Sequence, residues 1–175
     1  MKGRKKLSSK VWTLISLLII LIGFIGASVI QTDFGKVEVT ELKFETQSGL
    51  TMSGLLLVPN TATAENPAPC IVTVHGWYNN KEMQDLNFVE YSRRGYVVLA
   101  IDQYGHGDSD NIDVGFDAVT GNGLYDAVKM VAELPYVDTD RIGVTGHSYG
   151  AESCKSAVAR DNETEDQLIA ACLLV

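Results

Sequence analysis

Histidine and cysteine are both scarce in this 175-residue chain, at three each, and charge is missing altogether from residues 11–30. Cys70, Cys154 and Cys172 are odd in number, scattered and without CxxC spacing. That excludes a disulfide framework and a zinc site, so they are expected to be small buried apolar side chains. There is no glycine-rich phosphate loop, no cluster of metal ligands, no internal repeat and no low-complexity segment; no metal or cofactor is expected. Basic residues are also few beyond residue 30. Five of the 14 (Lys2, Arg4, Lys5, Lys6 and Lys10) precede it and all 22 acids follow, leaving nine bases against 22 acids, a balance of −13. Such a domain is expected to be soluble and to repel phosphate backbones, which argues against nucleic acid as a partner.

The uncharged stretch of 20 residues would span roughly 30 Å as a helix, the thickness of a bilayer's hydrocarbon core. The expected organisation is a basic cytoplasmic flank (1–10), a transmembrane signal-anchor helix (11–30), a linker (31–36) and one domain (37–175). The basic flank predicts a single-pass protein of the cell membrane with its domain on the extracytoplasmic side. Gly26, Ala27 and Ser28 offer a weak cleavage site, so secretion after signal-peptide removal is the alternative.

Residues 37–46 alternate apolar and polar side chains like a half-exposed strand, Gln47-Ser48-Gly49 is turn material, and residues 51–59 pair back as a hairpin. A polar linker covers 60–69. Residues 70–76, 96–102, 141–146 and 168–175 are short apolar runs suited to strands covered on both faces. Helices are expected over 82–94, stopped by Gly95, around 124–134, and over 149–160. In the second of these, Leu124, Ala127, Val128 and Val131 fall at i, i+3, i+4 and i+7. A long Gly/Asp loop is expected before it. Strands alternating with helices predict an α/β sandwich around a mainly parallel sheet with right-handed crossovers.

Gly146-His147-Ser148-Tyr149-Gly150 is a G-x-S-x-G motif that follows a predicted strand and opens a predicted helix. That context marks a nucleophile elbow, where glycines permit a strained turn that lifts a serine Oγ clear of the sheet. The competing assignment is an ordinary strand-to-helix turn with Ser148 as a capping residue.

With that motif in place, residues 37–175 resemble the α/β-hydrolase superfamily, implying a sandwich whose N-terminal antiparallel hairpin leads into a mainly parallel sheet. His75-Gly76-Trp77 looks like the family's oxyanion loop; by that match the backbone N–H groups of Trp77 and Tyr149 hold the oxyanion and Ser148 is the nucleophile. Residues 102–109, with Asp102, Gly105 and Gly107, resemble the D-x-R-G-x-G-x-S stretch, although Gln103-Tyr104 departs from the usual Arg. The run DAVKMVAELPYVDTDRIGVTGHSYGA is similar to dienelactone-hydrolase-like and prolyl-oligopeptidase-like members, with serine-aminopeptidase-like and lysophospholipase-like relatives near behind. The resemblance implies an acyl-containing small-molecule, lipid or peptide substrate.

A serine hydrolase needs a general base. His75, His106 and His147 each occupy a position where the family places a structural histidine, and no histidine follows Ser148. In this fold the triad runs Ser, Asp or Glu, then His. Asp161, Glu163, Glu165 and Asp166 are expected to be a solvated loop. The chain is therefore expected to be truncated after the strand that follows the elbow helix, inactive and poorly folded alone, with an active full-length parent. Trp77, Tyr78 and Tyr104 are candidates to line an acyl pocket, and Asn162-Glu163-Thr164 fits a glycosylation pattern. A non-catalytic binding module at the cell surface is the alternative function; intact Gly76, Ser148 and Gly150 weigh against it.

Overall fold

Apolar runs build the central strands of the sheet, and apolar stripes at helical spacing cover it. The computed structural model describes residues 7–83, 87–112 and 116–175. Helix α1 (Ser9–Gln31) is capped by the Ser8 side chain, which accepts the Val11 N–H, and none of its residues is buried. Among the described residues it is the one helix long and apolar enough to cross a membrane, with a mean hydropathy of 2.7.

Strand β1 (Val37–Glu45) pairs antiparallel with β2 (Thr51–Pro59) over its whole length, with Val37 opposite Pro59 and Glu45 opposite Thr51. The remaining elements are β3 (Ala68–Val74), α2 (Asn87–Arg93), β4 (Val97–Ile101), α3 (Phe116–Ala132), β5 (Val137–Gly146), α4 (Tyr149–Asp161) and β6 (Ile169–Leu174). The sheet order is β1-β2-β4-β3-β5-β6. The hairpin joins antiparallel to β4, while β4, β3, β5 and β6 run parallel. This is the α/β-hydrolase sandwich expected from the sequence.

Alternate residues of the parallel strands face opposite layers. Cys70, Val72, Val74, Val97, Leu99, Ile101, Ile142 and Val144 meet α3 and α4, where Leu124, Ala127, Val128, Val131, Cys154 and Ala157 complete the main core. Val98 and Leu57 face the other way and pack on Phe88 and Val89 of α2. At about 1.5–3 kcal/mol per buried large aliphatic side chain, the first layer carries most of the apolar stabilisation.

Three expectations need correction. The helix around 124–134 begins at Phe116. Two glycines in that turn mimic a loop, yet Gly123 is where the helix rests against the Gln103 carboxamide, a place where a Cβ would collide. Of the helix expected over 82–94, Asn87–Arg93 is helical and Glu82 and Met83 are not; residues 84–86 lie outside the described residues. Cys172 is exposed on the outer strand β6, unlike the buried Cys70 and Cys154.

Candidate active site

The turn between β5 and α4 is tight enough to dictate its residues. A Cβ on Gly146 would sit 2.5 Å from the Gly150 carbonyl carbon and 2.8 Å from Val74 Cγ1. A Cβ on Gly150 would press into the Val74 carbonyl and lie 2.9 Å from that of His75. Glycine at both ends lets the helix start directly against β3. Between them Ser148 adopts φ 55°, ψ −113°, a left-handed conformation that costs a non-glycine residue about 1–3 kcal/mol. Its side chain makes no capping hydrogen bond to α4, so the capping role is not what the turn provides.

Ser148 is exposed and shares an open cleft of about 510 Å³ with Trp77, Tyr149 and Glu152. The Trp77 and Tyr149 rings meet edge to face at 4.8 Å. The fold thus brings Trp77 to the elbow, and the α4 N-terminus contributes its partial positive charge to the same cleft. Tyr78 is exposed beside Trp77, with ring centroids 5.4 Å apart. Burial pushes the Tyr149 phenol up to about 12. Tyr104 does not join them. It is buried, its hydroxyl 2.8 Å from Thr46 Oγ1 and 3.1 Å from Asp126 Oδ2, and belongs to the core beneath α3.

The three histidines converge on this edge of the sheet without reaching the hydroxyl. His75 is buried; its Nε2 accepts the Gln103 N–H at 3.1 Å, so Nδ1 carries the proton and donates to the Gly76 carbonyl at 2.7 Å. Both nitrogens are spent. Burial lowers its pKa, outweighing the Gly76 contact, and the nearby His106 lowers it further. The His106 ring lies edge to face 5.6 Å from Trp77 and tilted 5.8 Å from Tyr149, with Nδ1 3.2 Å from the Tyr104 carbonyl. His147 is exposed and lines a small cavity of about 50 Å³ with His75, Gly76, Asn79 and Gly146. Among the described residues no histidine ring is hydrogen-bonded to Ser148.

Residues 48–175 match the X-Pro dipeptidyl-peptidase (S15 family). The chain belongs to that family. Uncharacterized peptidase YuxL of Bacillus subtilis (strain 168) is 27% identical over 132 residues, 70% of this chain and 20% of that protein. Among solved structures, the hypothetical protein PA2218 from Pseudomonas aeruginosa is 27% identical with a TM-score of 0.68, over 79% of this chain and 42% of that one. A bacterial heroin esterase, 23% identical, shares the fold with a TM-score of 0.64 over 89% and 49%. The chain spans a fifth of the length of the Bacillus peptidase and less than half of either structure. These relatives place the chain in the α/β-hydrolase superfamily.

In this S15 domain the loop after β4 is locked from within. Asp102, fully buried, accepts hydrogen bonds from the Lys81 N–H at 2.7 Å, the Lys81 ammonium at 2.9 Å and the Asp108 N–H at 3.0 Å. Gly107 lies against that carboxylate where any Cβ would overlap it, and Gly105 turns at φ 77°. Burial alone would raise the Asp102 pKa, but the amides of Asp108 and Lys81 and the ammonium hold it below the ordinary carboxylate range. Burial would likewise lower Lys81, yet its bonds to Asp102, Glu82 and Glu41 carry it upward. The pair ties the segment following His75-Gly76-Trp77 to the loop that carries His106.

Lys81 and Asp161 are residues that sequence reasoning missed. Asp161 is buried, not solvated; its two oxygens accept the Leu168 and Ile169 N–H groups, each at 2.9 Å, and join the end of α4 to the start of β6. Among the described residues no three His, Cys, Asp or Glu side chains are grouped to hold a metal ion.

Proposed function

We propose that this chain carries the nucleophile elbow of a membrane-anchored serine hydrolase that cleaves an acyl ester or amide through an acyl-enzyme on Ser148. The observation behind this is the strained, exposed Ser148 between two glycines that cannot be replaced, facing Trp77 across an open cleft. A turn held in an unfavourable conformation without a capping bond has a use in presenting a hydroxyl. In this proposal the backbone N–H groups of Trp77 and Tyr149 receive the tetrahedral oxyanion, and His75, Gly76, Asp102, Gly105 and Gly107 hold the two loops in place. The family description and the Bacillus relative favour a peptide amide; the esterase of the same fold keeps small esters in view. Helix α1 is the proposed anchor, of signal-anchor type, with the domain outside the cytoplasm.

A serine hydroxyl without a base to accept its proton is a weak nucleophile at neutral pH. Since no described histidine bonds to Ser148, the 175-residue chain by itself should show only the residual rate that binding and an oxyanion hole supply. The test has two arms. Any longer chain that supplies the acid and the histidine should be labelled by a fluorophosphonate probe at Ser148 and not after Ser148→Ala, while the 175-residue chain should turn over p-nitrophenyl acetate no faster than that residual rate. A longer chain that is folded but unlabelled would instead support a non-catalytic binding module.

A further inference from the structure

The junction between α1 and the domain is built rather than loose. Residues 32–36 connect the helix to β1 through a chain of backbone bonds. Phe34 N–H donates to Val29 O at 2.9 Å, Val37 N–H to Thr32 O at 2.9 Å, and Asn60 N–H to Lys36 O at 2.8 Å. The Asn60 side chain adds a bond to Gly35 O at 3.0 Å. No basic residue stands in the last turn of α1. Arg93, at the end of α2, supplies the missing cation by donating to Ile30 O at 2.7 Å, while Glu90 at 2.8 Å and Asp33 at 3.8 Å orient its guanidinium. A cation on a helix's terminal carbonyls is favourable in both charge and hydrogen bonding.

Strand direction then fixes which end of the sheet this junction occupies. β1 starts at Val37 opposite Pro59, the last residue of β2. β2 is antiparallel to β4, with Gly54 opposite Ile101 and Leu57 opposite Val98, so Pro59 lies at the N-terminal ends of the parallel strands. Val74, Ile101 and Gly146 are in register at their C-terminal ends, where His75, Asp102 and Ser148 follow. From Pro59 back to Gly54 is five residues, roughly 17 Å at strand rise. The junction and the Ser148 cleft stand at opposite ends of the sheet. Around the junction, Phe34 is exposed at φ 58° and the Lys36 and Arg94 side chains are exposed. Long cationic chains, which lay apolar stems on hydrocarbon and keep their heads in water, suit a membrane–water boundary, and the exposed Phe34 ring adds apolar area beside them.

We infer that α1 holds the domain with its junction end on the bilayer and its Ser148 cleft turned away, so that the acyl substrate comes from the aqueous phase and not from the lipid. This rests on the anchored-hydrolase assignment above and narrows its substrate to a water-borne ester or peptide. The fixed bonds at the junction carry the orientation; the strand directions carry the separation.

The experiment reads depth, not catalysis, so its failure is distinct from a failure of the serine chemistry. The full chain carrying Cys172→Ser is placed in vesicles of equal parts phosphatidylcholine and phosphatidylglycerol. Single nitroxide labels are put at Leu18→Cys, Lys36→Cys or Tyr78→Cys. Expected is collision with oxygen in lipid at position 18, headgroup depth at 36, and exposure to a water-soluble nickel chelate at 78. A doubly labelled 18/78 chain should give one narrow pulsed-EPR distance. Position 78 in lipid while 18 is also in lipid overturns the orientation and leaves the anchor standing. Position 18 in water overturns the anchor and this inference with it, and a broad 18/78 distance overturns the fixed junction.

Discussion

At the scale of single residues, the site depends on groups that cannot be exchanged for their nearest relatives. Gly150→Ala would force a methyl into the Val74 carbonyl. Overpacking of this kind costs about 1–3 kcal/mol, and the collision here is with backbone, which yields least. The expected result is a lower urea midpoint. An unchanged midpoint would show that the elbow is looser than its geometry. Lys81→Met tests the lock beneath the loops. Removing one partner of a buried pair costs about 3–5 kcal/mol because the other charge is left behind. The pH dependence has a definite sign. Asp102 is held below its ordinary pKa of about 3.9, so its stabilising contribution is complete above that value and fades as pH falls through the lower folded-state pKa. Lys81 is held above about 10.4, so its contribution is complete below that and fades as pH rises further. Wild-type stability should be flat across neutral pH and fall in the acid limb, whereas Lys81→Met, which lets burial raise the folded-state pKa of Asp102, should be less stable at neutral pH and lose less on acidification. Equilibrium unfolding in detergent at stepped pH measures both.

At the scale of elements, what was legible in the sequence was what local rules decide. The G-x-S-x-G turn could be placed because glycine spacing and the flanking strand and helix lie within a few residues of Ser148. The stripe of Leu124, Ala127, Val128 and Val131 could be placed because its period is helical, and all four are fully buried. Lys81 could not, because its main partner Asp102 is 21 residues away and nothing in Asn80-Lys81-Glu82 announces burial. Asp161 stands in a hydrophilic run and looks like its neighbours; only the return of the chain at Leu168 gives its carboxylate two amides to hold. Tyr104 likewise looked like a site aromatic until the fold carried it under α3. Asp161→Ala should therefore act on an element boundary. Leaving the two amides unpaired costs about 1–3 kcal/mol, and the Leu168 and Ile169 amides should lose hydrogen-exchange protection before the rest of β6. Equal loss throughout the sheet would mean that Asp161 supports the whole fold rather than the α4–β6 corner.

At the scale of the molecule, two opposed surfaces govern how the chain behaves in solution. β6 is the outermost strand, its sequence IAACLL is apolar, and most of it is exposed. Next to it Ile71, Tyr91, Tyr96, Ala171 and Leu173 line an apolar groove of about 460 Å³ on the face that α3 and α4 do not cover. An uncovered apolar edge is a template for pairing with another copy. Against this stands the balance of −13 over residues 31–175, which keeps copies apart at low ionic strength. The repulsion acts between exposed charges and is screened beyond about 10 Å at 0.1 M salt, while edge pairing and apolar burial are not. Residues 31–175 freed of α1 should therefore sediment mainly as monomer in dilute buffer and associate as salt is raised, under reducing conditions that keep the exposed Cys172 out of play. Leu173→Lys places a charge on the exposed strand and in the groove, and should keep the chain monomeric at the salt that associates the parent sequence. Association that is insensitive to Leu173→Lys would move the sticky surface away from β6, and association that weakens with salt would make it a contact between charges.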